Sequence, residues 1–278
     1  MVSSGKFSAS GVYLMGDRQR GSKVKSRFTL KDNRALVTGG TKGIGLAIAE
    51  NFLDFGAQVT IVARNKAEVE KQVQEWQAQG LKAFGLAGDM STSEGRKEAL
   101  DFAVSKMSGL DSLVNNVGTN NRKSTLDYNL EEYQALMDTN LTSVFEMCQL
   151  AHPHLAVGGI GSIVNIGSIA GLTAVPTGSI YGMTKAAITH LTKSLAVEWA
   201  KDGIRVNCIA PGFIRTPLTK NLLDNETFVE RAKAQIPLNR IGEAYEIGGL
   251  AAFLCMPTGG YITGETIVVD GGFIVKGI

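Results

Sequence analysis

The phenol of Tyr181 and the ammonium of Lys185 lie four residues apart in a stretch with helical character. Residues at i and i+4 share one helical face, so the two polar tips can act on one bound molecule. A free phenol titrates near pH ~10, too high for ready proton exchange at neutral pH. A neighbouring cation favours the phenolate and draws that value toward the working range. The spacing alone is common on solvated helices, so its meaning depends on what surrounds it.

A second group of residues could bind phosphate. Thr38-Gly39-Gly40-Thr41-Lys42-Gly43-Ile44-Gly45 follows the apolar run Ala35–Val37 and leads into helical periodicity at Ile44, Ile48, Phe52 and Phe55. Glycines at a strand-to-helix turn let backbone N–H groups approach a pyrophosphate, with the positive helix end behind them. Gly39, Thr41, Lys42, Gly43, Ile44 and Gly45 are therefore candidate cofactor contacts, a plain tight turn being the alternative. The spacing is G-x-x-x-G-x-G. Where NAD-binding folds carry an acidic residue for the ribose 2′-hydroxyl, this chain has Ala63-Arg64-Asn65. Arg64, helped by Lys42, can pair with a 2′-phosphate, which predicts NADP(H) as the cofactor.

The elements that must position these groups alternate regularly. Apolar runs predict strands at Ala35–Val37, Val59–Ala63, Lys82–Leu86, Leu110–Asn115, Ser162–Ile166, Ile204–Ile209 and Thr266–Asp270. Helical patterns fall between them, including one extended helix over Leu130–His152 and another from Ser179 toward Ala200. Such alternation predicts a doubly wound, seven-stranded parallel sheet with helices on both faces, a Rossmann-type α/β fold. No composition break marks a second domain within residues 28–278, and 214–239 reads as a flap.

Bulk properties exclude several classes. A net charge of +2 supplies no concentrated basic surface, so nucleic acid is not an expected partner. No apolar run reaches the ~18 residues of a membrane span. Cys148, Cys208 and Cys255 are scattered, and His152 and His154 flank Pro153, so neither a disulfide framework nor a metal site is expected. A reducing, cytoplasmic setting fits. Residues 1–27 hold six Lys or Arg against Asp17 and read as a disordered extension. Their Ser-rich, acid-poor composition also suits a transit peptide to a plastid.

The ordered set TGGTKGIG at 38–45, Asn115-Asn116-Val117-Gly118, Asn140, Ser168 within IGSIAG, YGMTK at 181–185, Pro211-Gly212 with Thr216, and Val269-Asp270-Gly271-Gly272 resembles the short-chain dehydrogenase/reductase family over residues 28–278. The resemblance implies a carbonyl reductase. Tyr181 would be the acid/base, Lys185 would lower its pKa and bind the nicotinamide ribose, Ser168 would polarise the carbonyl and Asn140 would complete a proton relay. It further implies adenine contacts at Asp89 and Met90, adenosine-side contacts at Asn115 and Gly118, and diphosphate packing at Ile44. Ile214 and Thr216, beyond Pro211 and Gly212, would meet the carboxamide. Taken apart from the set, Ser168 and Asp89 are ordinary helix caps. Val117 stands where the family usually has alanine, a change expected to affect packing only.

Longer runs, CQLAHPHL at 148–155 and FLCMPTGGYITGETIVVDGG at 253–272 among them, resemble plant tropinone reductases and their relatives. Those reductases carry His or Tyr where this chain has Arg122. A cation there would repel a protonated amine if it points into the pocket, and would not if it faces solvent. Ile169, Val175, Ile214 and Leu218, with Phe213, make a mostly apolar candidate pocket for a small hydrophobic ketone or its alcohol. Two competitors are a 3-oxoacyl-[acyl-carrier-protein] reductase, which would share every catalytic residue, and a non-catalytic nicotinamide-binding regulatory protein, which should show damage at Tyr181, Lys185, Ser168 or Asn140, all four of which are present. The resemblance also implies a homotetramer or homodimer.

Overall fold

The computed structural model describes residue 24 and residues 26–276. Most of the expected 1–27 extension lies outside the described residues, although the Arg27 carbonyl accepts from the Thr258 hydroxyl at 2.9 Å.

Seven strands form one parallel sheet: β1 (Arg34–Thr38), β2 (Gln58–Ala63), β3 (Ala83–Ala87), β4 (Ser112–Asn115), β5 (Ser162–Ile166), β6 (Arg205–Pro211) and β9 (Thr266–Val269). Their order is β3-β2-β1-β4-β5-β6-β9. The central strands are buried almost throughout, as expected where helices cover both faces. One face packs Ile48, Phe52, Val59, Ile61, Val164, Ile209, Ile247 and Leu254. The other packs Leu36, Leu100, Leu113, Met147, Leu155, Ile163, Ile188 and Val206. Between them run α1 (Gly43–Asp54), α2 (Lys66–Ala78), α3 (Ser93–Met107), α4 (Leu130–Met137), α5 (Ser143–Leu155) and α6 (Ser179–Glu198).

The single helix expected over Leu130–His152 is interrupted. A π-helical segment, Asp138–Thr142, separates α4 from α5. One extra residue per turn swings Asn140 inward, where it is fully buried. α5 then runs through Pro153 to the buried Leu155 rather than stopping at His152.

A two-residue parallel pair, β7 (Ile214–Arg215) with β8 (Gly242–Glu243), brackets the segment expected to be a flap. Within it lie α7 (Lys220–Leu223) and α8 (Glu226–Gln235), and α9 (Ala244–Cys255) follows. The segment has its own small core of Ala232, Ile236 and Ile241 with Phe213, Phe228 and Phe273 against it. Among the described residues no helix is long and apolar enough to cross a membrane, and no His, Cys, Asp and Glu cluster could hold a metal ion. The three cysteines are free and buried.

Candidate active site

Strand order reverses beside β1, where β2 lies on one side and β4 on the other, and ligands of open parallel sheets bind at such a switch point. The loops leaving β1, β2, β3, β4, β5 and β6 open onto a cleft of ≈ 660 Å³. Thr38, Ala63, Ala87, Asn115, Ile166 and Pro211 end those strands, so the chain delivers each following residue to one edge.

At one end the cleft meets the N-terminus of α1. Its cap residue, Lys42, makes no side-chain capping bond, and no acidic residue occupies the first turn. The leading amides and the positive helix end are thus available to an anion. Gly45 allows this loop to close tightly, since a Cβ there would sit 2.1 Å from the Gly39 carbonyl oxygen. Asn116 braces the loop by donating from Nδ2 to the carbonyls of Thr38 and Gly39, at 2.9 and 3.2 Å. Thr38 Oγ1 in turn accepts from the Asn116 amide at 3.0 Å. Gly39, Thr41, Lys42, Gly43 and Ile44 all line the cleft, with Arg64, Asp89, Met90 and Gly118 beyond. The Ser91 amide and hydroxyl, with the charges of Arg64 and Arg96, hold the Asp89 carboxyl below its ordinary range against the opposing effect of burial. This donor set, glycine backbone at the turn with a helix N-terminus behind it, fits the diphosphate of a dinucleotide.

The other end holds the four candidate catalytic residues. Gly171 lets the Ser168 turn seat on α6, because a Cβ there would lie 2.6 Å from the Lys185 backbone carbon. Ser168 Oγ accepts from the Ala170 amide at 3.1 Å, leaving its hydroxyl hydrogen to donate elsewhere. Burial raises the Tyr181 phenol above its ordinary value, while a hydrogen bond with Ser168 and the charge of Arg122 pull it back. Arg122 thus acts on the phenol as a cation from outside the motif, on a ring that Lys185 also approaches. Lys185 Nζ lies 5.6 Å from the Tyr181 ring centroid and donates to the Ile166 carbonyl at 2.7 Å. Asn140 bridges two elements: Oδ1 accepts from the Thr119 amide at 2.8 Å, and Nδ2 donates to the Thr119 carbonyl at 2.9 Å. Its Nδ2 also reaches Thr184 Oγ1, on α6, at 3.4 Å.

Burial lowers the Lys185 ammonium to about 8 from its usual 10.5. Between those two values the folded chain binds fewer protons than the unfolded chain, so stability rises with pH across this window. Below about pH 8 the full penalty is present, at most about 3 kcal/mol. Urea unfolding of wild type and Lys185→Met at pH 7.5 and 10 should show a steeper gain for wild type. Parallel slopes would contradict the buried-cation assignment, since the lost Ile166 contact shifts both points equally.

Several expected residues lie elsewhere. Asn115 points into the core, where Nδ2 donates to Asn165 Oδ1 at 2.9 Å, and Asn116 takes its place on the cleft. Phe213 makes edge-on contacts with Phe228 and Phe273, at 5.6 and 5.5 Å between ring centroids, and builds the flap core instead of the pocket wall. Ile169 is buried and Val175 exposed, and neither lines the cleft. Arg122 is exposed on the loop after β4. Gly45 and Asn140 act from behind the wall. Ser168, Tyr181, Lys185, Pro211, Gly212, Ile214, Thr216 and Leu218 line it, and so does Val117. Glu68, Asn65 and Thr139 were not anticipated by the sequence. Glu68 sits 26 residues from its partner Lys42, with no motif linking them.

This fold and cleft agree with the comparisons. A family model described as Enoyl-(Acyl carrier protein) reductase matches residues 39–274. A tropinone reductase homolog of Arabidopsis thaliana is 49% identical, over 92% of this chain and 97% of that protein. The crystal structure of a gluconate 5-dehydrogenase from Burkholderia cenocepacia J2315, in complex with NADP and tartrate, superposes with a TM-score of 0.88 at 32% identity, covering 91% of this chain and 100% of that one. A 7α-hydroxysteroid dehydrogenase complexed with NADH and 7-oxo glycochenodeoxycholic acid gives 0.85 at 32% identity, covering 89% and 96%. The chain belongs to the short-chain dehydrogenase/reductase family. It is an oxidoreductase acting on CH–OH groups, and its family uses nicotinamide cofactors.

Proposed function

We propose that this chain is an NADPH-dependent reductase that interconverts a small hydrophobic ketone and its secondary alcohol. The observation that carries the reading is the convergence of the Tyr181 hydroxyl, Ser168 and Lys185 on one cleft whose far end is a glycine-rich turn backed by a helix N-terminus. Bound dinucleotide would supply the hydride. Gly39, Thr41, Gly43 and Ile44 would hold its diphosphate, Arg64 and Lys42 its 2′-phosphate, Asp89 and Met90 its adenine, and Ile214 and Thr216 its carboxamide.

Tyr181 gives its proton to the substrate oxygen, and Ser168 donates a hydrogen bond to the same atom as charge develops there. Lys185 holds the nicotinamide ribose. Asn140 fixes the loop after β4 against α6 and, in the relay reading, passes protons between Lys185 and solvent. The flap at 214–239 closes over substrate beside Leu218. A panel of ketones assayed for NADPH oxidation, with chiral analysis of the alcohols, tests the reading. Turnover of acetoacetyl thioesters alone would favour an acyl-carrier-protein reductase, and nicotinamide binding with no turnover of any ketone would favour a regulatory protein.

Arg122 makes a finer forecast. Arg122 is exposed and off the cleft wall, yet its charge still acts on the Tyr181 phenol, so we read it as disfavouring a protonated amine such as tropinone beside that hydroxyl. Arg122→Ala should raise kcat/KM for a cationic ketone several-fold relative to a neutral ketone of similar shape. Equal changes for both substrates would remove Arg122 from specificity. Assembly as a homotetramer, or a homodimer, accords with family habit and is tested by light scattering at micromolar concentration. A cytoplasmic address, with the plastid as the competing one, is tested by imaging a fluorescent fusion to residues 1–27.

A further inference from the structure

Of the two cations at the adenosine end of the cleft, Lys42 is paired with a carboxylate. Lys42 Nζ lies 2.9 Å from one Glu68 carboxylate oxygen and 3.1 Å from the other, so the pair is bidentate. Glu68 is anchored in the first turn of α2, where its amide donates to Asn65 Oδ1 at 3.3 Å. Arg64 lies close enough to Asp89 to act on its charge. Glu68, Lys42 and Arg64 all line the same cleft. The side chains of Lys42 and Glu68 are about half exposed, so water and added salt reach the contact.

We propose that Glu68 is an internal competitor for the 2′-phosphate: it engages Lys42 and sets its own negative charge beside the position a phosphorylated ribose would take. The inference rests on the reading that Arg64 and Lys42 serve that phosphate. A dianion entering there gains Lys42 only by sharing it with Glu68, and meets like-charge repulsion in doing so. Glu68 thereby tempers the preference for the phosphorylated cofactor without touching the reacting end. A helix-stabilising role alone would leave ligand discrimination unchanged, because Glu68 also suits the positive end of its own helix.

Calorimetric titration with adenosine 2′,5′-bisphosphate and with adenosine 5′-monophosphate separates these roles without any turnover. At low ionic strength Glu68→Gln should bind the bisphosphate roughly three- to fivefold more tightly than wild type, the scale of one exposed charge pair, and the monophosphate unchanged. The gain should shrink as salt is added. Glu68→Ala should show the same gain if Gln disturbs the start of α2. Unchanged or weaker bisphosphate binding in both variants, with wild type still preferring the bisphosphate, would overturn the competitor role alone. Equal binding of the two probes by wild type would overturn the 2′-phosphate reading and this inference with it.

Discussion

Tyr181→Phe should lower kcat for ketone reduction by roughly 10²–10⁴-fold, the range set by a positioned general acid. The substitution removes one oxygen and keeps the ring that lies beside Lys185. Dinucleotide affinity and the thermal midpoint should therefore stay near wild type. What disappears is the hydroxyl shared with Ser168 and biased by Arg122. Because burial opposes ionisation of this phenol, it stays protonated at neutral pH and is suited to give a proton in the reductive direction. Stopped-flow absorbance with saturating NADPH would measure the change. A variant within a fewfold of wild type would assign the proton to another group.

The second large effect concerns the cofactor. Arg64→Asp should weaken NADPH binding by about 10–100-fold, as expected for loss of charge-assisted hydrogen bonds and introduction of a like charge. NADH should lose little, and could gain from the new acceptor for its ribose hydroxyl. The ratio of the two dissociation constants, read by fluorescence titration, isolates the phosphate from general damage to the loop. Parallel weakening of both cofactors would show that Arg64 supports the loop and does not read the phosphate.

Much of the fold was legible because each βα unit carries two independent signals, a short apolar run and a helical period after it. The site was legible for a related reason: in an open parallel sheet the residues just beyond the strand ends share one edge. TGGTKGIG, Arg64, Asp89, Ser168 and Pro211-Gly212 all occupy such positions. Where the reading failed, the missing information was three-dimensional. A strand buried on both faces has no alternation to reveal which side chain faces the cleft, so Asn115 and Asn116 could not be told apart. Phe213 and Ile169 adjoin site residues in sequence and Val175 lies between Ser168 and Tyr181, and nearness in sequence does not separate pocket wall from core. The π segment at 138–142 leaves no mark in composition, since it adds one residue to an otherwise continuous helix. That Arg122, on the loop after β4, brings a further charge to the phenol depends on chain packing, which spacing along α6 does not encode.

In the proposed reaction hydride and proton reach one carbonyl by separate routes, with Tyr181 supplying the proton. NADPH carrying deuterium at both C4 positions of the nicotinamide, incubated with a neutral hydrophobic ketone and either wild type or Tyr181→Phe, tests both halves together by NMR of the product. Wild type should place one deuterium on the carbinol carbon of a single alcohol enantiomer, and the variant should give almost no product. Equal product from both proteins, or alcohol lacking deuterium on carbon, would contradict this scheme.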